Sequence, residues 1–168
     1  VKPTLALDPG VSYLGWCRSD GQSGTMLFKP YQDRGEALCG FQNWLGNQMA
    51  DGISLLAIER PGFRMNARDA DFVYGVVWAA HSIAFRFDVP RREMRADSVR
   101  KALIGRARRL KGESDRAFDA VIREAVRERG FSPKSEHAVD AAALLCAVSG
   151  GGESSPGASE YARPTLFS

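Results

Sequence analysis

The sequence predicts an α/β fold: a central, mixed five-stranded sheet whose first three strands are antiparallel, flanked by helices. Three observations carry this expectation. Short apolar segments open the chain, separated by turn-prone Pro9-Gly10 and Ser19-Asp20-Gly21. Helical and strand-like patterns then alternate through the middle of the chain. The last patterned segment, residues 138–148, is apolar nearly all round, which requires burial on most of its faces.

A length of 168 residues suits one domain with a sizeable core. With 44% hydrophobic and 26% charged residues the composition is that of an ordinary globular protein, not a disordered one. The net charge of +3 is mild and does not by itself imply a polyanionic partner. Its distribution says more. Nine basic side chains lie between Arg91 and Lys111 against the two acids Glu93 and Asp97, a local balance of +7. Cys17, Cys39 and Cys146 are widely spaced and form no C-x-x-C pair. They read as three buried or part-buried thiols in a reducing compartment, not as a zinc site or disulfides. No stretch is apolar enough to span a membrane, and the first residues lack the pattern of a signal peptide, so a cytoplasmic location is expected.

Taken in order, residues 4–7, 13–18 and 25–29 read as strands, and their short connections favour antiparallel neighbours. Over residues 33–50, Leu38, Phe41, Trp44, Leu45 and Met49 recur at helical spacing and predict an amphipathic helix on the sheet. Residues 53–58 form a fourth strand, apolar on both faces and therefore central; its helical connection predicts a parallel pairing with the first strand. Residues 60–68 are a loop broken by Pro61-Gly62. Asp69 or Asp71 is a candidate cap for a long apolar helix reaching Phe87. A basic strand over 89–94 and a short helix over 97–103 follow, the latter ending at Gly105. An Arg-rich loop spans 106–112, Glu113 or Ser114 starts a helix to about Arg129, and Gly130 closes it. Pro133 separates this from the last helix. Beyond Ser149 the composition turns to Gly, Ser, Pro and Ala, so residues 1–149 are read as the domain and residues 150–168 as a flexible tail.

Two of these strands end on carboxylates. Leu5-Ala6-Leu7 runs into Asp8, and Leu55-Leu56-Ala57-Ile58 runs into Glu59. As neighbours in one sheet, these strands would bring their acids side by side at one edge. A carboxylate at the end of a buried strand is costly unless positive charge sits on it. In the last helix, Asp140 interrupts an apolar run, and His137 sits one turn earlier on the same face. A plainer reading makes these two part of a helix start capped by Ser135 or Glu136. Metal ligation accounts for the pair better once Asp8 and Glu59 are added. Three carboxylates and an imidazole suit Mg²⁺ or Mn²⁺, and such sets hold two ions about 4 Å apart for in-line phosphodiester displacement.

These motifs (Leu5-Ala6-Leu7-Asp8-Pro9-Gly10, Ala57-Ile58-Glu59 and His137-Ala138-Val139-Asp140-Ala141-Ala142-Ala143-Leu144) resemble those of the RuvC family of Holliday-junction resolvases. Val99-Arg100-Lys101-Ala102-Leu103-Ile104-Gly105 and Lys111 lie where that family has its basic helix and loop, so the resemblance runs in order from Pro3 to Val148. It implies an RNase H-like fold, a homodimer, and metal-dependent cutting of four-way DNA junctions by paired symmetric nicks. It also implies that Asp8, Glu59 and Asp140 are the metal carboxylates, with His137 beside them. Many members carry Asp at the place of His137, which bears on the choice between Mg²⁺ and Mn²⁺. Members also carry an aromatic residue in the loop after the Glu; here Gly62 takes that place and Phe63 follows it.

The basic segment is expected to hold DNA phosphates, because an acidic metal cluster needs positive charge near it before a polyanion approaches. Arg100, Lys101 and Lys111 are the leading contacts, joined by Arg106, Arg108 and Arg109, and Lys111 is also expected to neutralise charge at the scissile phosphate. Phe63, Arg64, Asn66 and Arg68 form a second rank of contacts in the loop after Glu59. The helix ending at Phe87 carries Phe72, Tyr74, Trp78 and Phe85 on more than one face, so part of it is free to form a two-fold interface. Three other readings stand beside the resolvase. One is an enzyme of the same fold cutting forks or flaps; another is a non-catalytic module binding branched DNA. The third is an actin-like phosphate loop at Asp8-Pro9-Gly10 and Gly15, which needs a second domain of similar size.

Overall fold

The structure, a computed structural model, describes residues 1–29, 31–62 and 65–150. Phe63 and Arg64, and the segment read from sequence as a tail beyond residue 150, lie outside the described residues.

The chain opens with β1 (Thr4–Pro9), β2 (Tyr13–Arg18) and β3 (Ser23–Leu27), paired antiparallel in turn. Helix α1 (Arg34–Ala50) leads to β4 (Leu55–Arg60), which pairs parallel with β1. Helix α2 (Ala67–Arg86) leads to β5 (Arg91–Arg95), parallel to β4. The sheet order is β3-β2-β1-β4-β5, and α3 (Ala96–Ile104), α4 (Asp115–Glu128) and α5 (Glu136–Ser149) complete the chain. This is the mixed five-stranded α/β architecture that the sequence predicts. None of the described helices is long and apolar enough to cross a membrane.

Strand periodicity divides the core in two. Leu5, Leu7, Leu56 and Ile58 point to the face covered by α1 and α2, where they meet Phe41, Leu45, Val73 and Val76. Ala6, Cys17 and Ala57 point to the other face, against α3, α4 and α5. Each fully buried leucine on the first face contributes about 2 kcal/mol of transfer free energy. The alanines on the second face serve differently, leaving room for α5 to lie close on β1 and β2. Eight consecutive residues of α5, from Ala141 to Val148, are buried, in keeping with its apolar sequence.

Several boundaries differ from the sequence reading. β3 starts at Ser23, not residue 25, and runs through Gly24. The indole of Trp16 lies against Gly24, where a Cβ would stand 2.9 Å from it, so the glycine is required by packing. β4 runs through Glu59 to Arg60, two residues beyond the expected end. Helix α2 is capped by Asn66, not by Asp69 or Asp71: its side chain accepts from the Asp69 N–H at 2.9 Å. Asp69 is instead a first-turn acid paired with Arg34 at 2.5 Å, tying the starts of α1 and α2 together. Cys17 and Cys146 are buried but Cys39 is exposed, because it falls off the stripe of Ala37, Phe41, Leu45 and Met49 that α1 buries.

Candidate functional site

Asp8 and Glu59 are placed by the β1–β4 register. Leu7 pairs with Ile58, and an acid follows on each strand. Both acids share the parity of Ala6 and Ala57, so they emerge on the face that α3 and α5 cover. Ser135 caps α5, accepting from the Ala138 N–H at 3.2 Å, and its hydroxyl also meets Thr25 Oγ1 at 2.7 Å, which ties the helix start to β3. That anchoring delivers Asp140 across the strand ends. Asp8, Glu59 and Asp140 thus line one cleft of about 180 Å³, together with Tyr13, Val99 and Arg100.

The electrostatics of this cleft are those of crowded acids. Burial holds the Asp8 carboxyl well above the usual carboxylate range, and Glu59 and Asp140 add to the effect while Arg100 opposes it. Glu59 is pushed up to about 7, by burial first and by Asp140 second, again against Arg100. Asp140 opens to solvent at the rim, yet the chain packed around it still raises its pKa through desolvation; Arg100 and His137 pull the other way. The phenol of Tyr13 is raised to about 12, by burial and then by Asp8, Asp140 and Glu59. One guanidinium therefore faces three carboxyls. Oxygen donors in such excess fit a hard divalent cation, which would relieve their mutual repulsion. Asp8, Glu59 and Asp140 are the residues that would hold it. Among the described residues, however, no three His, Cys, Asp or Glu side chains are already drawn together tightly enough to hold an ion.

His137 is not one of the residues lining the cleft. Its imidazole stacks on Tyr13, with ring centroids 3.3 Å apart and planes at 15°. The sequence reading passes over Tyr13. Its only signal is positional: it opens β2 with the parity of Gly15 and Cys17, the face that α5 covers. A second cavity, of about 390 Å³, adjoins the cleft and shares Asp8, Tyr13 and Glu59 with it.

The basic residues separate into distinct environments. Arg100 is half-buried at the cleft, lying over the Phe118 ring at 5.8 Å, so its first role is as the counter-charge of the acids. Lys101 is exposed on α3, which ends at Gly105 in a left-handed cap. In the loop that follows, Arg106 is not a free cation. It makes two hydrogen bonds to Glu113, at 2.6 and 2.7 Å, and lies over Phe118 at 4.9 Å. Glu113 also accepts the Leu110 N–H at 2.9 Å, and its own N–H donates to the Leu110 carbonyl at 3.1 Å. Arg109 pairs with Asp115 at 3.0 Å. Arg108 and Lys111 are exposed, and among the described residues neither has an ion-pair partner. Near Glu59, the Asn66 amide is engaged at both ends in capping α2, accepting from the Asp69 N–H and donating to Asp69 Oδ2 at 2.7 Å. Arg68 is exposed.

No protein-family model matches the sequence, and a comparison with curated proteins finds no match. Solved structures do match. A structure of Thermus thermophilus RuvC aligns with a TM-score of 0.72 at 19% identity, covering 88% of this chain and 93% of that one. T. thermophilus RuvC in complex with Holliday junction substrate aligns with a TM-score of 0.71 at 17% identity, over 88% of this chain and 93% of that one. The chain therefore has a RuvC-like, RNase H-like fold, and its cleft lies where β1, β4 and α5 of that fold meet.

Proposed function

We propose that the protein is a metal-dependent endonuclease that resolves four-way DNA junctions by paired symmetric nicks. The observation that carries this reading is the meeting of Asp8, Glu59 and Asp140 in one cleft of a RuvC-like fold, with the Arg100 guanidinium beside them. One of the two matched structures is of RuvC bound to Holliday junction substrate, which supports a branched DNA as the ligand here.

The three carboxylates, with His137 adjacent, would hold Mg²⁺ or Mn²⁺, two ions in the complete site. When bound, such ions supply Lewis acidity for water attack on the phosphodiester and for departure of the leaving oxygen. The chain's own residues do the rest. Arg100 offsets the acids and offers a guanidinium to a phosphate at the cleft. Arg108 and Lys111 hold the backbone from the exposed loop, with Lys101 beside them on α3, and Lys111 supplies charge near the scissile phosphate. Arg106 builds that loop through Glu113.

A two-fold pairing through α2 would present two such clefts to symmetric strands of the junction. Trp78 and Phe85, 70% and 65% exposed on that helix, favour a partner surface there. A cytoplasmic, nucleoid-associated location is part of the same proposal.

The test is cleavage of labelled four-way junction, fork, flap and duplex under Mg²⁺, Mn²⁺ or chelator, with Asp140→Asn as control. Preferential nicking of the junction that needs metal and is lost in the variant is expected. Preference for forks or flaps would keep the site chemistry and change the substrate. Binding without cleavage under either metal would contradict the enzyme.

A further inference from the structure

Tyr13 forms a wall of the cleft that the acids alone do not explain. Its ring meets two neighbours. One is the His137 imidazole, in the stack described above. The other is Gly10, where a Cβ would stand 2.8 Å from the outer end of the Tyr13 ring, so only glycine leaves the ring its place. The β1–β2 turn is fixed by the Gly10 N–H donating to the Tyr13 carbonyl at 2.9 Å. Two residues along β2, the His137 carbonyl occupies the position of a Gly15 side chain, 2.0 Å from where its Cβ would be. Gly15 thus lets the first turn of α5 touch β2, and Tyr13 receives the imidazole that this contact brings in.

The imidazole has little else to hold it. Among the described residues, neither ring nitrogen of His137 has a hydrogen-bond partner. A metal-ligating histidine ordinarily takes its ring orientation from a hydrogen bond on its second nitrogen. Among the described residues no side chain or backbone group supplies such a bond, whereas a face-to-face ring at van der Waals distance restricts rotation about the Cβ–Cγ bond. His137 is one helical turn from Asp140 and electrostatically coupled to it.

We propose that Tyr13 is a positioning residue, whose ring holds the His137 imidazole in the orientation that serves the metal site, in place of the usual hydrogen bond. The inference rests on the metal-site reading above, and it concerns the ring of Tyr13, not its hydroxyl. It separates this chain's site into carboxylates set by strand register and an imidazole set by stacking.

The test uses the two histidines of the chain as NMR reporters of the whole protein without DNA. His81, paired with Glu93 on the opposite face of the sheet, is the internal control. In the wild type, the His137 ring C–H signals are expected to be shifted upfield by the stacked phenol, and to broaden on Mn²⁺ addition before those of His81. Tyr13→Leu should abolish the upfield shift and raise the Mn²⁺ concentration for half-broadening about tenfold or more. Tyr13→Phe, which keeps the ring, should restore both. Gly10→Ala is the second variant, since its new methyl displaces the ring without changing Tyr13, and it should move both readouts in the direction of Tyr13→Leu. Unchanged or tighter Mn²⁺ dependence in a folded Tyr13→Leu protein would overturn the proposal. So would a wild type in which Mn²⁺ broadens the amides around Asp8 and Asp140 but spares His137, although the metal-site reading would survive that result. Absence of any Mn²⁺ effect around the cleft would overturn both.

Discussion

At the level of single residues, the cleft is defined by acids that resist ionisation together. Burial first, and Asp140 second, push the Glu59 carboxyl up to about 7 in the fold against an ordinary 4.5. The sign of the consequence follows directly. Between those two values the folded state binds more protons than the unfolded state, so stability falls as pH rises through that window. Metal-free protein should therefore be more stable at pH 5 than at pH 8, by about 1–3 kcal/mol from this group. Glu59→Gln should flatten the profile, and divalent cations should stabilise the wild type more at the higher pH. Thermal melts across pH with and without Mg²⁺ measure this; a metal-free profile that rises from pH 5 to pH 8 would show that the acids are not crowded. The acids themselves are legible in the sequence, because a carboxylate closing an apolar strand stands out against its burial. Tyr13 is not, since an aromatic at a strand start reads as ordinary core. Its role depends on what α5 lays against it, and no local pattern encodes that.

At the level of elements, the loop between α3 and α4 shows how a run of like charges divides its tasks. Sequence sets Lys111 first and ranks Arg106, Arg108 and Arg109 alike behind it. In the fold, Arg106 lies between Glu113 and Phe118, and Glu113 binds the Leu110 backbone from both sides. Arg108 and Lys111 are left to solvent on a braced loop. Glu113→Ala should therefore weaken junction binding several-fold while leaving Mn²⁺ binding at the cleft intact. Lys111→Ala should weaken binding to all DNA shapes alike and reduce the salt slope by about 1. Fluorescence anisotropy at several salt concentrations separates the two. A loss at Glu113→Ala no larger than that at an exposed acid elsewhere would show that the loop needs no brace. The same division explains Asn66, a loop polar residue by sequence that the fold uses as the cap of α2. Element types and order follow from hydrophobic period and turn residues. Boundaries such as the start of β3 do not, because they follow from the pairing with β2, in which Ser23 lies opposite Cys17 and Gly24 opposite Trp16.

For the whole molecule, the topology turns short sequence motifs into one cleft. β1 and β4 are parallel neighbours, α5 crosses their ends, and α3 supplies Arg100 from the side. On the opposite face of the sheet, α2 leaves Trp78, Phe85 and Phe87 exposed, the first two separated by two helical turns. Dimerisation through this face is the expectation, so Trp78→Glu should convert a dimer to a folded monomer in sedimentation velocity. An unchanged sedimentation coefficient would place the two-fold elsewhere or remove it.

The central claim is that two clefts act together on a four-way junction, and a supercoiled plasmid that extrudes a cruciform tests it most directly. Paired nicks within one binding event convert the circle to linear DNA, whereas independent nicks accumulate open circles first. Linear product formed without an open-circle lag, dependent on Mg²⁺ or Mn²⁺ and absent with Asp140→Asn, is the expected result. Open circles alone, or no cleavage under either metal, would contradict the account.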